Sequence, residues 1–411
     1  MARSAPVNLL LIDRYNHHCF QPLLYQMATA ALAPQEIAWP IRSLMRDQSN
    51  ATVIMAEARD VDIGGKHVVT DLGPFTYDVL VLATGASHSY FGNDGWAQYA
   101  PGLKTLRDAA QIREKLLLVF EAAERSEDPE EMRRLMRFAV IGGGPTGVEL
   151  AGAIADVAKN TLSKDFRRID PGAARIVLIE PGKRLLSTYP ASASDYAQAS
   201  LEAKGVTVML DAAVEAVQAT QVKTSKGTVE AATIVWAAGV SASPAAHWLK
   251  AEHDSVGRVL VTSTLNLPGR EDIFVIGDTA ALNGDRTSLP GIAPVAKQMG
   301  RYVGARIKRS VTGKDTPSPF SYRHAGDLAT IGRNAAIVRL PGIELRGWIG
   351  WLFWSVAHIW FLIDVRNRIA VSFTWAWDYL TYQRSARLIF PPAKAIDAKI
   401  QGPPDKPQAA P

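Results

Sequence analysis

Three glycines at a fixed spacing form the clearest chemical motif of the chain. Gly142, Gly144 and Gly147 follow the apolar run 138–141 and precede a helical pattern. In this order the first glycine permits a tight turn, the second lets a pyrophosphate approach the backbone, and the third lets the helix pack against the strand. Because the helix N-terminus also offers free N–H groups to phosphates, the pattern predicts a dinucleotide site.

An acidic residue follows the next apolar run and fits the ribose end of such a site. Glu180 ends the run 175–179, 38 residues after Gly142. A carboxylate there accepts hydrogen bonds from a ribose diol and repels a 2′-phosphate, so it predicts NAD rather than NADP. Lys183 and Arg184 follow closely. They either favour a 2′-phosphate or are solvated loop charges.

A second carboxylate lies inside the helix that follows the glycine turn. Glu149 is two residues beyond Gly147. It is either a partner of the helix dipole in the first turn or a carboxylate close to the reacting rings. Its position in the sequence leaves both interpretations open.

Other turns at the ends of apolar runs predict a second nucleotide site. A Thr-Gly turn, a Gly-Asp turn and an aspartate each follow such a run, and a similar turn ends at Gly239. The aspartate is expected to bind an adenosine ribose. The residues of this site are Asp13, Thr84, Gly85, Gly277 and Asp278.

The elements that must position these residues alternate between strands and helices. Helical patterns cover 108–125 and 148–158, between apolar runs of the β type. This alternation predicts an α/β fold, and the continuous apolar character of the runs predicts parallel sheets covered on both faces. The runs are 7–12, 77–83, 138–141, 176–179, 233–236 and 273–276.

Composition limits the classes of protein. The 411 residues, 47% of them hydrophobic, predict two or three folded domains. Cys19 is the only cysteine, which excludes a disulfide framework, a cysteine-rich metal centre and catalysis by a cysteine pair. The net charge of +5 is small for this length. Neither a metal site nor a nucleic-acid partner is predicted.

The last part of the chain differs in character from the rest. Six of the ten tryptophans lie between 348 and 377, and 346–390 carries five arginines, including Arg384 and Arg387, against two aspartates. The apolar run 348–363 is shorter than the roughly 20 residues of a membrane span. It is either a buried core helix or, as the tryptophans favour, a segment that contacts a membrane without crossing it. Residues 391–411 predict a disordered tail.

The chain resembles the type II NADH:quinone oxidoreductases, which are single-subunit, membrane-attached flavoenzymes. The resemblance covers about residues 7–390 and implies two Rossmann-like domains and a C-terminal membrane-binding module at 346–390. The implied FAD domain is 1–110 with 265–345, and the implied NADH domain is 111–264. The stretches that carry the resemblance are 17–30, 37–42, 142–152, 233–244, 273–279, 293–298 and 328–333.

The same resemblance implies a reaction and assigns residues to it. A hydride passes from NADH to FAD and two electrons pass to a membrane quinone, without proton pumping. Glu149 is then near the nicotinamide–flavin contact. The protein is implied to lie on the cytoplasmic side of the inner (plasma) membrane, as a peripheral protein and a homodimer. The implied binding residues are Gly142, Gly144, Gly147, Glu180 and Gly239 for NADH, Asp13, Thr84, Gly85, Gly277 and Asp278 for FAD, and Ala293, Ala296 and Gln298 for quinone.

Two departures from the family pattern affect these expectations. The sequence has no Gly-x-Gly-x-x-Gly before Gly142, and its first apolar run matches the family's second strand. We therefore expect a further βα unit upstream, and weak FAD binding without it. Pro294 also stands where family members often carry a glutamine of the quinone site.

Two alternatives share the two-domain plan. One is a soluble NAD(P)H-dependent ferredoxin or rubredoxin reductase, which would not need the tryptophan-rich terminus. The other is a nucleotide-binding chain without flavin turnover. A sulfide:quinone oxidoreductase works through redox cysteines, which Cys19 alone cannot supply.

Overall fold

The computed structural model describes residues 5–282, 289–315, 318–381 and 386–389. In its first part, strands β1 and β4 pair in parallel, and β5, β6 and β7 form an antiparallel meander. The elements are β1 (Leu9–Asp13), β2 (His17–Cys19), α1 (Leu24–Ala28), α2 (Pro34–Ile37), β3 (Ala38–Pro40), α3 (Ile41–Met45), β4 (Ala51–Met55), β5 (Ala58–Asp62), β6 (His67–Thr70), β7 (Gly73–Thr76), β8 (Leu80–Leu82) and β9 (Ala86–His88).

The middle of the chain forms a four-stranded parallel sheet. Its strand order is β12–β11–β10–β16, with the meander β13–β14–β15 beside it. The elements are α4 (Leu106–Arg125), α5 (Pro129–Leu135), β10 (Arg137–Ile141), α6 (Pro145–Asp156), β11 (Arg175–Ile179), α7 (Ala191–Ala203), β12 (Val206–Met209), β13 (Val214–Val217), β14 (Gln221–Thr224), β15 (Gly227–Glu230), β16 (Thr233–Trp236), β17 (Val240–Ala242) and α8 (Ala245–Trp248).

The remaining strands complete a second sheet and a C-terminal meander. Strand β20 pairs in parallel with β8 and antiparallel with β19, and β22, β23 and β24 form an antiparallel meander. The elements are β18 (Val259–Val261), β19 (Asn266–Leu267), β20 (Arg270–Val275), β21 (Ala280–Leu282), α9 (Ala293–Val311), β22 (Asp327–Thr330), β23 (Ala336–Leu340), β24 (Ile343–Arg346), α10 (Gly347–Phe361) and α11 (Val365–Thr381).

Local sequence explains why helix α4 forms and where it packs. Its N-cap Thr105 accepts the N–H of Asp108 at 3.1 Å, and the Asp108 carboxylate accepts the N–H of Thr105 at 2.9 Å. This reciprocal capping satisfies two donors that a helix start leaves free. The buried ring of Phe120 then stacks on Phe138 of β10, 5.6 Å between ring centres. The helix therefore covers one face of the parallel sheet.

The predicted α/β fold is confirmed, since every predicted apolar run contains a strand and both predicted helices form. The second predicted helix begins three residues early, at Pro145, because proline suits the first helical turn. It ends in a π-helical turn at Val157–Thr161. The predicted tail at 391–411 and Arg384 lie outside the described residues.

Candidate functional site

The glycine turn has the geometry that its spacing predicts. Gly142 has φ +113°, and a Cβ there would lie 2.7 Å from the backbone of Ala237. A Cβ on Gly147 would overlap the carbonyl oxygen of Gly142, whereas one on Gly144 would meet nothing within 4 Å. Helix α6 begins here with no side-chain cap. The turn thus leaves open space and free N–H groups at the position predicted for a pyrophosphate.

The Glu180 carboxylate holds this turn in place. Its Oε2 accepts the N–H of Gly143 at 2.6 Å, and its Oε1 accepts the N–H of Gly182 at 2.7 Å. Glu180 therefore lies directly beside the glycine turn, as a ribose-binding acid must. The neighbouring Arg184 donates to the backbone oxygens of Ser187 and Tyr189. Its guanidinium thus takes part in the local loop structure.

The predicted NADH residues form one row along the carboxyl ends of adjacent strands. Glu180 follows β11, Gly142 follows β10, and Gly239 follows β16. The backbone of Ala237 closes the gap between the last two, because it lies against Gly142. Ligands of open α/β sheets bind at such an edge. The structure therefore brings all five predicted NADH residues together.

Glu149 occupies a half-buried position in the second turn of α6. Its Oε1 is 3.4 Å from the N–H of Thr330, which comes from the C-terminal meander. Burial raises the pKa of the Glu149 carboxyl to about 8, because desolvation outweighs the Thr330 contact. Burial, with Asp327 and Glu149, also raises the pKa of Tyr189. With this raised pKa, the Glu149 carboxyl is protonated at neutral pH. This argues against the interpretation of Glu149 as a charged partner of the helix dipole.

Four of the five residues predicted for the second nucleotide site lie around the ends of the paired strands β8 and β20. Thr279 donates to the carbonyl oxygen of Gly85 at 3.1 Å, and its hydroxyl lies 3.4 Å from that of Thr84. Gly85 and Gly277 have φ +69° and +71°, and a Cβ on Gly85 would meet nothing within 4 Å. Open backbone of this kind fits the close approach of a dinucleotide.

Asp13 ends strand β1, in a different sheet from β8 and β20. Its Oδ1 accepts the N–H of Tyr15 at 2.8 Å, so the carboxylate is held at the strand end. A strand-end carboxylate is the group that binds an adenosine ribose. Asp13 and the open Gly85 turn therefore fit two parts of an FAD molecule. They are the residues, with Gly277 and Asp278, that would hold it.

The residues predicted for quinone lie in the first turns of helix α9. Ala293 is the first helical residue and Pro294 the second, a position that tolerates proline because no helical N–H bond is lost there. The Cβ of Ala296 faces Gly277, 3.5 Å from a Cβ built on that glycine. Both ends of the Gln298 amide bond the backbone of Arg323, at 2.9 and 3.0 Å. Gln298 thus anchors the segment before β22.

The C-terminal helices carry two different faces. Trp354 is buried and stacks on Trp375 and His358, while Trp375 donates its indole N–H to Gln26 at 2.8 Å. Burial lowers the pKa of His358 to about 4, as suits a structural histidine. The opposite face exposes large apolar side chains, which we call the apolar face: Trp348, Ile349, Leu352, Phe353, Val356, Trp360, Phe361, Val365, Ile369, Phe373, Trp377 and Leu380.

This division runs through the membrane-binding module 346–390 that the resemblance implies. Trp377 is on the apolar face, but Trp375 packs inwards and Arg387 pairs with Asp165. In the part of the chain that the structure describes, no helix is both long enough and apolar enough to cross a membrane.

A polar contact between the nucleotide sheet and the C-terminal part was not predicted from the sequence. Asp156 at the end of α6 is only 7% exposed, accepts from Lys204 Nζ at 2.8 Å and accepts the N–H of Arg333 at 2.7 Å. The signal that was available is an acid directly after the apolar run 150–155 of the helix. Such an acid needs buried partners.

Comparison with known proteins identifies the family. The family model for pyridine nucleotide-disulphide oxidoreductases matches residues 1–300, and that for the NDH2 C-terminal domain matches 324–383, which includes the last meander. The type II NADH:quinone oxidoreductase Ndh of Mycobacterium tuberculosis is 41% identical over 93% of this chain and 85% of its own length. A second enzyme of that organism, NdhA, is 39% identical over 94% and 85%.

Solved structures share the fold. NDH2 from Plasmodium falciparum, solved in complex with NADH, has a TM-score of 0.83 at 21% identity, over 92% of this chain and 94% of that one. The sulfide:quinone oxidoreductase of Aquifex aeolicus has a TM-score of 0.68 at 19% identity, over 90% and 89%. Here, however, burial raises the pKa of the lone Cys19 thiol to about 12, so reactive thiolate is scarce. The chain belongs to the type II NADH:quinone oxidoreductases, within the pyridine nucleotide-disulphide oxidoreductase family.

Proposed function

We propose that the chain oxidises NADH and reduces a membrane quinone, with the residues assigned above in the stated roles. The observation that carries the proposal is the continuous row of Glu180, the glycine turn and Gly239 along three strand ends. A dinucleotide laid along this row has its ribose at Glu180 and its phosphates over Gly144. Because the chain belongs to this family, its cofactor is FAD and its substrate is NADH.

FAD bound there would supply the hydride-accepting and electron-donating chemistry between NADH and quinone. The chain's own residues bind and orient the reactants around that chemistry. Asp13, Thr84, Gly85, Gly277 and Asp278 would hold the cofactor between the two sheets. Positioning of this kind removes much of the entropic barrier to reaction.

Glu149 would hold a proton near the reacting rings. Its carboxyl is protonated at neutral pH because burial raises its pKa to about 8. A neutral acid of this kind donates a hydrogen bond where a carboxylate would repel electron density. The Thr330 N–H fixes the orientation of the group.

The apolar face would place the protein on a membrane that contains the quinone. Twelve large apolar side chains of α10 and α11 are exposed there, and Arg366 is exposed beside them. A soluble protein rarely exposes so wide an apolar patch. This favours the quinone reductase over a soluble ferredoxin-type reductase. Both ends of the Gln298 amide bond the backbone of Arg323. Gln298 would therefore act on the quinone site by holding the segment around Arg323 in place, rather than through a free amide.

The same proposal includes the side of the membrane on which the protein lies and its oligomeric state. The cytoplasmic side of the inner (plasma) membrane is where NADH is supplied to such an enzyme. A homodimer is proposed with it, and light scattering of the detergent-solubilised protein would measure it.

The experiment that tests the proposed function follows NADH absorbance with a short-chain quinone as the acceptor. We expect quinone-dependent oxidation of NADH and a flavin absorbance band once the purified protein has been loaded with FAD. Ferricyanide serves as an acceptor that does not need the quinone site. A flavin-loaded protein that reduces neither acceptor would contradict the proposal.

A further inference from the structure

The order of strands gives the bound dinucleotide a direction. Going across the sheet, Glu180 follows β11, the glycine turn follows β10, and Gly239 follows β16. Since the adenosine ribose belongs to the acid and the phosphates to the glycine turn, the nicotinamide half must continue towards β16. Whatever side chain stands beside Gly239 therefore lies next to the nicotinamide half.

That side chain is Phe91. A Cβ added to Gly239 would lie 2.6 Å from Phe91 Cζ, so only a glycine lets the ring approach the backbone this closely. Gly239 also has φ +78°, a conformation that suits glycine. The close approach thus depends on both residues.

The backbone of Phe91 is held in a conformation that a bulky residue rarely adopts. Its φ is +52°, in the left-handed region, where aromatic residues are uncommon. Asn93 donates to the carbonyl oxygen of Phe91 at 3.3 Å, and Ser89 Oγ accepts the N–H of Phe91 at 3.3 Å. Strained residues of this kind cluster at functional sites.

The ring gains little burial from this arrangement. Phe91 is 69% exposed, and its centre is 6.3 Å from that of Trp236. By contrast, the adjacent Tyr90 is buried and lies 5.0 Å from Trp236. Core packing therefore accounts for Tyr90 but not for the strained and exposed Phe91.

We propose that Phe91 forms an aromatic wall for the nicotinamide ring of the bound substrate. This inference rests on the proposed function, because it assumes that the dinucleotide lies along the row of strand ends. A flat aromatic amide packs well against a phenyl ring, in an offset or edge-on arrangement. Phe91 thereby selects ligands that carry the ring, whereas Glu180 and the glycine turn bind the ADP-ribose portion.

Calorimetric titration of the full-length, flavin-loaded protein with NAD⁺ and with ADP-ribose tests this inference. The variant Phe91→Asn suits the left-handed backbone but lacks the ring, so folding is preserved. We expect it to weaken NAD⁺ binding about three- to tenfold, the size of an aromatic pair, and to change ADP-ribose binding less than twofold. Phe91→Tyr keeps the ring and should bind both ligands as the wild type does.

The control is Leu72→Ala, which removes a similarly exposed apolar side chain from the turn between β6 and β7. It should leave both affinities unchanged. Wild-type affinity of Phe91→Asn for NAD⁺ would overturn the inference while leaving the proposed function intact, and so would an equal loss for both ligands. A wild-type protein that binds neither ligand would instead contradict the proposed function itself.

Discussion

The guanidinium of Arg333 lies over the ring of Tyr379, 4.2 Å from its centre, and also donates to the Tyr379 carbonyl oxygen. Through its own N–H, Arg333 bonds Asp156 at the end of the helix that begins at the glycine turn. A short chain of contacts thus connects the predicted NADH site with the C-terminal helix α11. It fixes the apolar face relative to the nucleotide sheet.

Removing Asp156 should destabilise the protein. In Asp156→Ala the half-buried ammonium of Lys204 keeps only the Arg333 carbonyl oxygen as an acceptor, and the N–H of Arg333 loses its acceptor, at a cost of about 2–3 kcal/mol. We expect the melting temperature, measured by calorimetry, to fall by several degrees. Glu215→Ala, which breaks the exposed pair with Lys223, is the control and should cost less than about 1 kcal/mol. An equal fall in melting temperature for Asp156→Ala and Glu215→Ala would show that the Asp156 contacts do not stabilise the fold.

Two glycines of the turn should respond differently to alanine. Gly144→Ala has room for its methyl group in the protein but places it where the phosphates are proposed to bind. We expect a near-normal melting temperature. The affinity for ADP-ribose should fall at least about tenfold, because one charged hydrogen bond is lost. Gly147→Ala should instead destabilise the fold by about 1–3 kcal/mol, because the methyl group overlaps the Gly142 carbonyl. A stable Gly144→Ala protein with normal affinity would exclude this phosphate site.

Glu180 should set the preference for NADH over NADPH. A carboxylate beside the ribose repels a 2′-phosphate, so kcat/KM should be much higher with NADH. Glu180→Gln should lower the ratio of kcat/KM with NADH to kcat/KM with NADPH by at least tenfold, mainly because kcat/KM with NADPH rises. Glu121→Gln, an exposed carboxylate on α4, should leave the ratio unchanged. If the wild type used both nucleotides equally well, the assignment of Glu180 to the ribose would be wrong.

The raised pKa of Glu149 predicts a pH dependence of stability. Because its pKa of about 8 in the folded protein exceeds the ordinary 4.5, the folded state binds a proton that the unfolded chain releases. Its contribution is therefore fully present below about pH 4.5 and is lost as the pH rises towards 8. The melting temperature of Glu149→Gln should consequently fall less than that of the wild type over this range. If the melting temperatures of the variant and the wild type changed in parallel with pH, Glu149 would be ionised in the folded protein.

Membrane binding should depend on the apolar face. Replacing Ile369, Phe373 and Leu380 by serine removes side chains that are 66–77% exposed, so the fold should persist. Each is worth up to about 1.5–3 kcal/mol when buried in lipid, so the triple variant should bind vesicles at least tenfold more weakly. High salt should release the wild type only partly, because the charge contribution is the smaller one. In the control, Met55 and Leu72, which are exposed elsewhere, are changed to serine.

The sequence alone was sufficient for the α/β fold and the glycine turn, and it predicted Glu180 as the acid of the ribose. These depend on local rules: apolar runs form buried strands, and a fixed glycine spacing permits one particular turn. The pattern of Gly142, Gly144 and Gly147 accordingly has in the structure the geometry that it predicts. The resemblance to a known family extended this to the reaction.

Tertiary structure decided what depends on contacts between distant segments. The C-terminal tryptophans look alike in the sequence, yet Trp354 is 2% exposed and Trp360 is 69% exposed. Packing against the meander β22–β24 and against α11 determines which side of α10 is covered, and packing against α2 and α10 determines the covered side of α11. Likewise, burial beneath the C-terminal meander raises the pKa of Glu149, and the turn at Gly239 brings Phe91 to the nucleotide edge. Desolvation and close packing arise from neighbours in space, which the linear order of residues does not specify.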